Sequence, residues 1–362
     1  MRTSQTVSSP TNFKSALSIR GDSLYCPLCF SLDSYWNCLT DCWHCYLRRL
    51  NATWGQDLRP ADPEQVDRQL TNGLKNTNPK TPLASCLAQK KTIRLGNKTD
   101  PFQKVEREHQ VSKRLLKILL HHKWSFVIQT RFTEVLLDYQ LILGKMAKFD
   151  ICTVMPVISP GMEFDWEVFE RKRTTYPEMR MEHLRFLKRM GLKGGVNGEP
   201  FIPGVHTVKN FETILKLLKM YGIDRYNTYN FHFNAFVAKR IHQNCPGVDI
   251  EKIWFYNQDD QWKPILQKLI DLATKYGIKL GCPDFVNSGW SYIEPSNTCC
   301  GVDVPNPCTF NTHHFKKLLQ QKLPMDKVLE QTWDGSGSYS LGKDVLEGST
   351  NSFYTLKDAK ID

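Results

Sequence analysis

A chain of 362 residues can bury a substantial core, as one α/β barrel domain with appendages or as two smaller domains. Its 48 lysines and arginines against 37 acidic residues give a net charge of +11, which suits a polyanionic partner such as nucleic acid and equally suits the solvated faces of a basic protein. Twelve cysteines without an apolar leader argue against a secreted disulfide scaffold, and no run approaches the ~18 apolar residues that span a bilayer, so a soluble, cytoplasmic protein with metal-bound thiols and no membrane partner is expected.

Residues 1–25, rich in Ser and Thr, read as a flexible arm, residues 26–290 as a barrel domain and residues 291–362 as a cysteine-containing extension and tail. The stretch NCLTDCWHCYLRRL (37–50) sets Cys38, Cys42 and Cys45 in the order Cys-x3-Cys-x2-Cys. Three thiols do not close a four-ligand structural zinc site and cannot pair off as disulfides. An iron–sulfur cluster can take three thiolates and keep one iron open for a small molecule. A zinc site completed by Cys26, Cys29 or His44 satisfies the same spacing, so both metals stay open at this point.

Beyond this loop, Asp62-Pro63 reads as a cap and first-turn proline opening a helix to about Leu74. The pattern then alternates: strand 92–97, helix 105–122, strand 124–130, a helix over 133–146 capped by Thr133, strand 149–158, and a helical stretch around 165–190. KGGVNG (193–198) precedes a helix from Thr207 to Tyr221 whose Phe211, Ile214, Leu215 and Leu218 mark one buried face. Strand 226–233, helix 264–277 and strand 278–282 complete the series. Repeated β-then-α units imply parallel strands with reactive groups at their C-terminal ends, in a partial (β/α) barrel.

Three loops fall at those ends. GNKTDPFQ (96–103) offers acceptors suited to an ammonium group, QTRF (129–132) offers Arg131 to a carboxylate, and GEPFIPGVHT (198–207) places Gly204 where a backbone can approach a ligand closely. In YNTYNFHF, alternation would turn Tyr226, Thr228, Asn230 and His232 into the barrel.

The cysteine spacing, with Tyr46 directly after the last thiol, resembles the cluster motif of the radical S-adenosylmethionine (radical SAM) superfamily. Over roughly residues 30–290 the sequence resembles spore photoproduct lyase and its relatives, through CLTDCWHCY, GNKTDPFQ, QTRF and YPEMRMEHLRFLKRMGL. The resemblance implies an α/β partial barrel with N- and C-terminal extensions, a [4Fe–4S] cluster on Cys38, Cys42 and Cys45, S-adenosylmethionine on its open iron, and an external electron donor. It further implies that Tyr46, Asn97, Thr99, Asp100, Arg131 and Gly204 border the cofactor, with Arg131 in place of a lysine. Those lyases carry a hydrogen-donating cysteine at the position that aligns with Asn97. An amide cannot donate hydrogen in that way, so the resemblance does not extend to photoproduct repair.

Cys282 ends a strand pattern, and Cys299, Cys300 and Cys308 follow among turn residues. These four thiols fit a second iron–sulfur cluster, a zinc site or no metal. The expectation is therefore a radical SAM enzyme acting on a substrate for which nucleic acid or a nucleotide is favoured. A zinc-stabilised nucleic-acid-binding protein without catalysis, using Cys26, Cys29, Cys42 and Cys45, is the rival.

Overall fold

A computed structural model describes residues 13, 16–19, 28, 30–45, 57–228, 231, 233–281 and 305–308, together with Leu318, Gln321, Leu323, Lys327 and Gln331. The chain order is β1 (Leu17–Ile19), β2 (Phe30–Leu32), α1 (Pro63–Leu74), α2 (Pro82–Ala88), β3 (Ile93–Leu95), α3 (Val111–His121), β4 (Phe126–Thr130), α4 (Thr133–Leu137), α5 (Gln140–Ala147) and β5 (Cys152–Pro156). It continues through α6 (Pro177–Arg189), β6 (Lys193–Gly194), β7 (Val196–Asn197), α7 (Val208–Met220), β8 (Arg225–Asn227), α8 (Ala235–Asn244), α9 (Ile250–Tyr256), α10 (Asp259–Tyr276) and β9 (Lys279–Gly281).

The strands form two sheets in the orders β1-β2-β3-β4-β5-β6 and β7-β8-β9, and every pairing except β1 with β2 is parallel. Gly195 separates β6 from β7, and a parallel bridge from Val157 to Asn197 joins the sheets across the break. The result is a curved, open parallel sheet with helices in the crossovers, the partial barrel that the repeat of β and α patterns implies.

Alternation along the strands sorts side chains between two faces. Phe30, Leu32, Ile93, Leu95, Phe126, Ile128, Cys152, Val154, Val196 and Tyr226 pack in one core with Leu115, Leu116 and Leu119 of α3 and with Phe211, Ile214, Leu215 and Leu218 of α7. The opposite, concave face carries Ser31, Asp33, Arg94, Gln129, Asn197 and Asn227, all buried and all polar. Tyr226 therefore does not enter the barrel: its ring lies 5.7 Å from that of Phe211 and its hydroxyl donates to the Ile158 carbonyl at 3.1 Å. The strand ends at Asn227, so the inward register is one residue away from the one alternation over 226–233 suggests.

Local chemistry sets several boundaries. Asp62 Oδ1 accepts the Glu64 and Gln65 amides at 3.0 and 3.2 Å, and Pro63 opens α1. Thr207 and Asn210 form a reciprocal cap on α7. Thr133 does not cap α4; its hydroxyl bonds His183 Nδ1 at 2.8 Å, and the helix expected over 133–146 divides at Asp138-Tyr139. The helix expected over 105–122 is broken by Gln110, whose φ is 50°, and the stretch around 165–190 opens with a π-helical turn over Asp165–Phe169 before α6 begins.

Candidate active site

The cysteine loop leaves the C-terminal end of β2, and the loops after β3, β4 and β5 pack around it. Cys42 is buried, Cys38 and Cys45 are half-buried, and the Cys45 amide donates to the Cys42 carbonyl at 3.2 Å. The GNKTDPFQ segment spends its polar groups on this loop. Gln103 accepts the Leu39 amide at 2.8 Å and donates to the Asn37 carbonyl at 3.0 Å, while the Thr99 hydroxyl donates to the Tyr35 carbonyl at 3.0 Å. From the other side, Asp33 Oδ1 accepts the amides of Asn97, Lys98 and Thr99 at 2.9, 2.7 and 3.4 Å. Gly96 makes the reversal possible: its φ is +90°, and a Cβ there would meet Pro101 at 2.4 Å.

Burial pushes the Cys38 thiol up and the Cys42 thiol well up, with the Arg131 guanidinium pulling the latter back towards the thiolate. A bound metal centre supplies the positive charge that three thiolates need. Among the described residues no three His, Cys, Asp or Glu side chains converge on a single ion. The neighbouring Cys45 and Cys38 thiols add to the rise at Cys42.

Asp100 joins the loops after β3 and β4. Its carboxylate accepts the Arg131 amide at 2.6 Å, the Thr130 hydroxyl at 2.7 Å and the Phe102 amide at 3.0 Å, and burial raises its pKa against the pull of these bonds. Arg131 Nε donates to Glu170 at 2.9 Å and its terminal nitrogen lies 3.4 Å from His44 Nε2. Glu170 also takes the buried Arg180 guanidinium and the Thr174 hydroxyl. Burial alone would raise the Glu170 carboxyl; Arg180 and Arg131 overcome it and hold it at about 2. His44, edge-on to Phe169, is held neutral, its pKa lowered to about 4 by burial and then by Arg131, and its Nδ1 has no hydrogen-bond partner among the described residues.

The long loop after β5 forms the remaining wall. The Trp43 amide donates to the Phe169 carbonyl at 2.9 Å, and its ring lies between Arg171 and Arg240, 4.3 and 5.0 Å from the ring centre. Both arginines reach Asp41, at 3.1 and 2.7 Å, and Arg240 of α8 donates to the Cys42 carbonyl at 3.3 Å. Asp41, Arg171 and Lys172 have φ values of 56°, 61° and 53°, a left-handed backbone that these surrounding contacts hold.

The structure thus brings Cys38, Cys42, Cys45, Thr99, Asp100 and Arg131 together, with half-buried Asn97 at the edge of the same loops. Gly204 has a φ of +87° and its close approach is to the backbone of Lys252 and Ile253. Tyr46, Cys282, Cys299 and Cys300 lie outside the described residues. Cys308 is buried with its sulfur 3.9 Å from that of Cys86, a neighbour that spacing gives no reason to choose. Sequence reasoning missed Glu170, since it precedes Arg171-Lys172-Arg173, a cluster that reads as solvated. It also missed Asp33, Arg94 and Gln129, whose only signal is a polar residue in or just beyond a short, largely apolar strand.

No family model matches the chain, and no curated protein does. Among solved structures it is similar to a spore photoproduct lyase double mutant with bound AdoMet and dinucleoside spore photoproduct, with a TM-score of 0.53 and 10% identity over 72% of this chain and 77% of that one. A spore photoproduct lyase point mutant gives a TM-score of 0.51 at 12% identity, over 78% of this chain and 81% of the other. At these identities the likeness establishes the fold alone: a partial (β/α) barrel like that of spore photoproduct lyase.

Proposed function

We propose that the chain is a radical SAM enzyme in which Cys38, Cys42 and Cys45 hold a [4Fe–4S] cluster and S-adenosylmethionine takes the iron left without a thiolate. With an electron from an external donor, this pair supplies a 5′-deoxyadenosyl radical for hydrogen abstraction from a substrate. The observation that supports the reading most is the coupling of the three-cysteine loop, at the end of β2, to the ends of β3 and β4 through Gln103, Thr99 and Asp100. In this reading Arg131, aimed by Glu170, meets the cofactor's carboxylate. Thr99 and Asp100 shape the pocket for its amino group, and neutral His44 together with Phe169 keeps water from the cluster side.

The net charge of +11 favours an anionic substrate, nucleic acid or nucleotide. Reversal of thymine photoproducts is not the proposed reaction, because Asn97 stands where a hydrogen-donating thiol would be required. Four of the other nine thiols, Cys282, Cys299, Cys300 and Cys308, are candidates for a second cluster or a zinc site.

Anaerobic purification tests the reading. A brown protein with about four irons per chain matches one cluster, and about eight would add a second. A colourless protein containing zinc would replace the proposal with a structural zinc site.

A further inference from the structure

The concave face of the half-barrel contains a buried cation that none of the described residues neutralises. Arg94 lies on β3, in the row Ser31, Arg94, Val127 and Thr153 that the strand register sets side by side. Its side chain turns away from the helix-covered core that takes Ile93 and Leu95. It is 8% exposed, one terminal nitrogen donates to Gln129 Oε1, and among the described residues its Nε has no partner and it makes no ion pair.

Gln129, on the same face, is 5% exposed and its Nε2 is likewise without a partner among the described residues. The orientation of that amide follows from chemistry: a guanidinium only donates, so the amide oxygen must face it and the amide nitrogen must face elsewhere. Two unsatisfied donors and one uncompensated positive charge thus stand together.

Arg180 shows what this fold does with a buried guanidinium when the role is structural. It is 0% exposed, donates to the Thr175 and Val157 carbonyls at 2.6 and 2.5 Å, and is matched by Glu170 and Thr174. Among the described residues nothing comparable surrounds Arg94, and an unpaired buried charge is costly enough that a partner is required.

We propose that Arg94 and Gln129 bind an oxyanion of the substrate, a carboxylate or a phosphoryl group, on the concave face beneath the cysteine loop. Assigning the ligand as substrate rests on the radical SAM reading. The position suits it: from Arg94 the chain leaves β3 for the loop that carries Asp100, from Gln129 it leaves β4 for Arg131, and Asp100 joins the two loops beside the cysteines. On the same face, Asp33 Oδ2 and Asn227 Oδ1 are buried acceptors without partners among the described residues, so the remainder of the substrate is expected to present hydrogen-bond donors such as hydroxyl or amide groups.

The test is equilibrium dialysis of the cluster-loaded full chain against inorganic phosphate and against acetate, with and without saturating S-adenosylmethionine. Saturable binding of phosphate indicates a phosphorylated substrate, and preference for acetate indicates a carboxylate. Arg94→Met should weaken the preferred anion about tenfold or more, and Gln129→Leu about threefold, the losses expected for a charged and a neutral hydrogen bond. Gln129→Leu, which keeps the guanidinium, decides the case if Arg94→Met does not fold. The proposal is overturned if wild type binds neither anion saturably, if these variants bind as wild type does, or if S-adenosylmethionine displaces the anion, which would assign Arg94 to the cofactor's own carboxylate. Iron content and substrate-free S-adenosylmethionine cleavage, measured on the same samples, keep the two readings apart. Loss of cleavage in wild type with anion binding intact would remove the radical chemistry and leave the anion site.

Discussion

Two buried carboxylates anchor the site from opposite sides. Glu106 accepts the Ser112 and Lys113 amides, each at 2.9 Å, at the open end of α3, and takes the hydroxyls of Tyr139 and of Tyr35, which leads into the cysteine loop. Glu170 balances Arg131 and Arg180. Replacing Glu170 by Gln removes the carboxylate that both guanidiniums contact and should cost ~3–5 kcal/mol in urea denaturation. Its pKa is held at about 2, below the unfolded value, so its contribution is full above roughly pH 4.3 and is lost as the pH falls towards 2. The stability gap between wild type and Glu170→Gln should therefore narrow across that window. Arg131→Ala, in turn, should weaken S-adenosylmethionine binding by ~1.5–3 kcal/mol in calorimetry while iron content is retained. Equal affinity in the variant would mean that Arg131 serves only its neighbours Glu170 and His44.

Segments from three separate parts of the chain hold the cysteine loop: the loop after β3 through Gln103, the loop after β5 through Phe169 and Arg171, and α8 through Arg240. Arg240 is the contact most open to test, because it touches Asp41, the Cys42 carbonyl and the Trp43 ring without reaching a sulfur. Arg240→Ala should speed the loss of iron to a chelator several-fold at unchanged cysteine content; an unchanged rate would make α8 a mere neighbour. Helix limits such as Pro63–Leu74 and the apolar stripe of α7 were legible, because capping side chains and the 3.6-residue period lie within a few residues of one another. The break at Gln110, the division of 133–146 and the π-helical turn were not. Each depends on partners distant in sequence, as Thr133 does on His183 and Glu106 on Tyr35.

The assembled barrel explains which parts of the site could be read in advance. The order of the loops follows from alternating β and α patterns, so Cys38, Cys42, Cys45, Asp100 and Arg131 could be placed at one end of the sheet before any geometry was known. Their division of labour could not, since Asp100 proves to spend its carboxylate on Arg131, Thr130 and Phe102, a three-dimensional fact. Arg94 and Gln129 escaped notice for a similar reason: a polar residue within an apolar strand gains meaning only when strand register shows that its neighbours leave it unpaired. The most direct test of the central claim is 5′-deoxyadenosine formation from S-adenosylmethionine under anaerobic reduction, in wild type and in the variant with Cys38, Cys42 and Cys45 all changed to alanine. The account predicts formation in wild type and none in the variant; equal formation in both, or none in an iron-replete wild type, would contradict it.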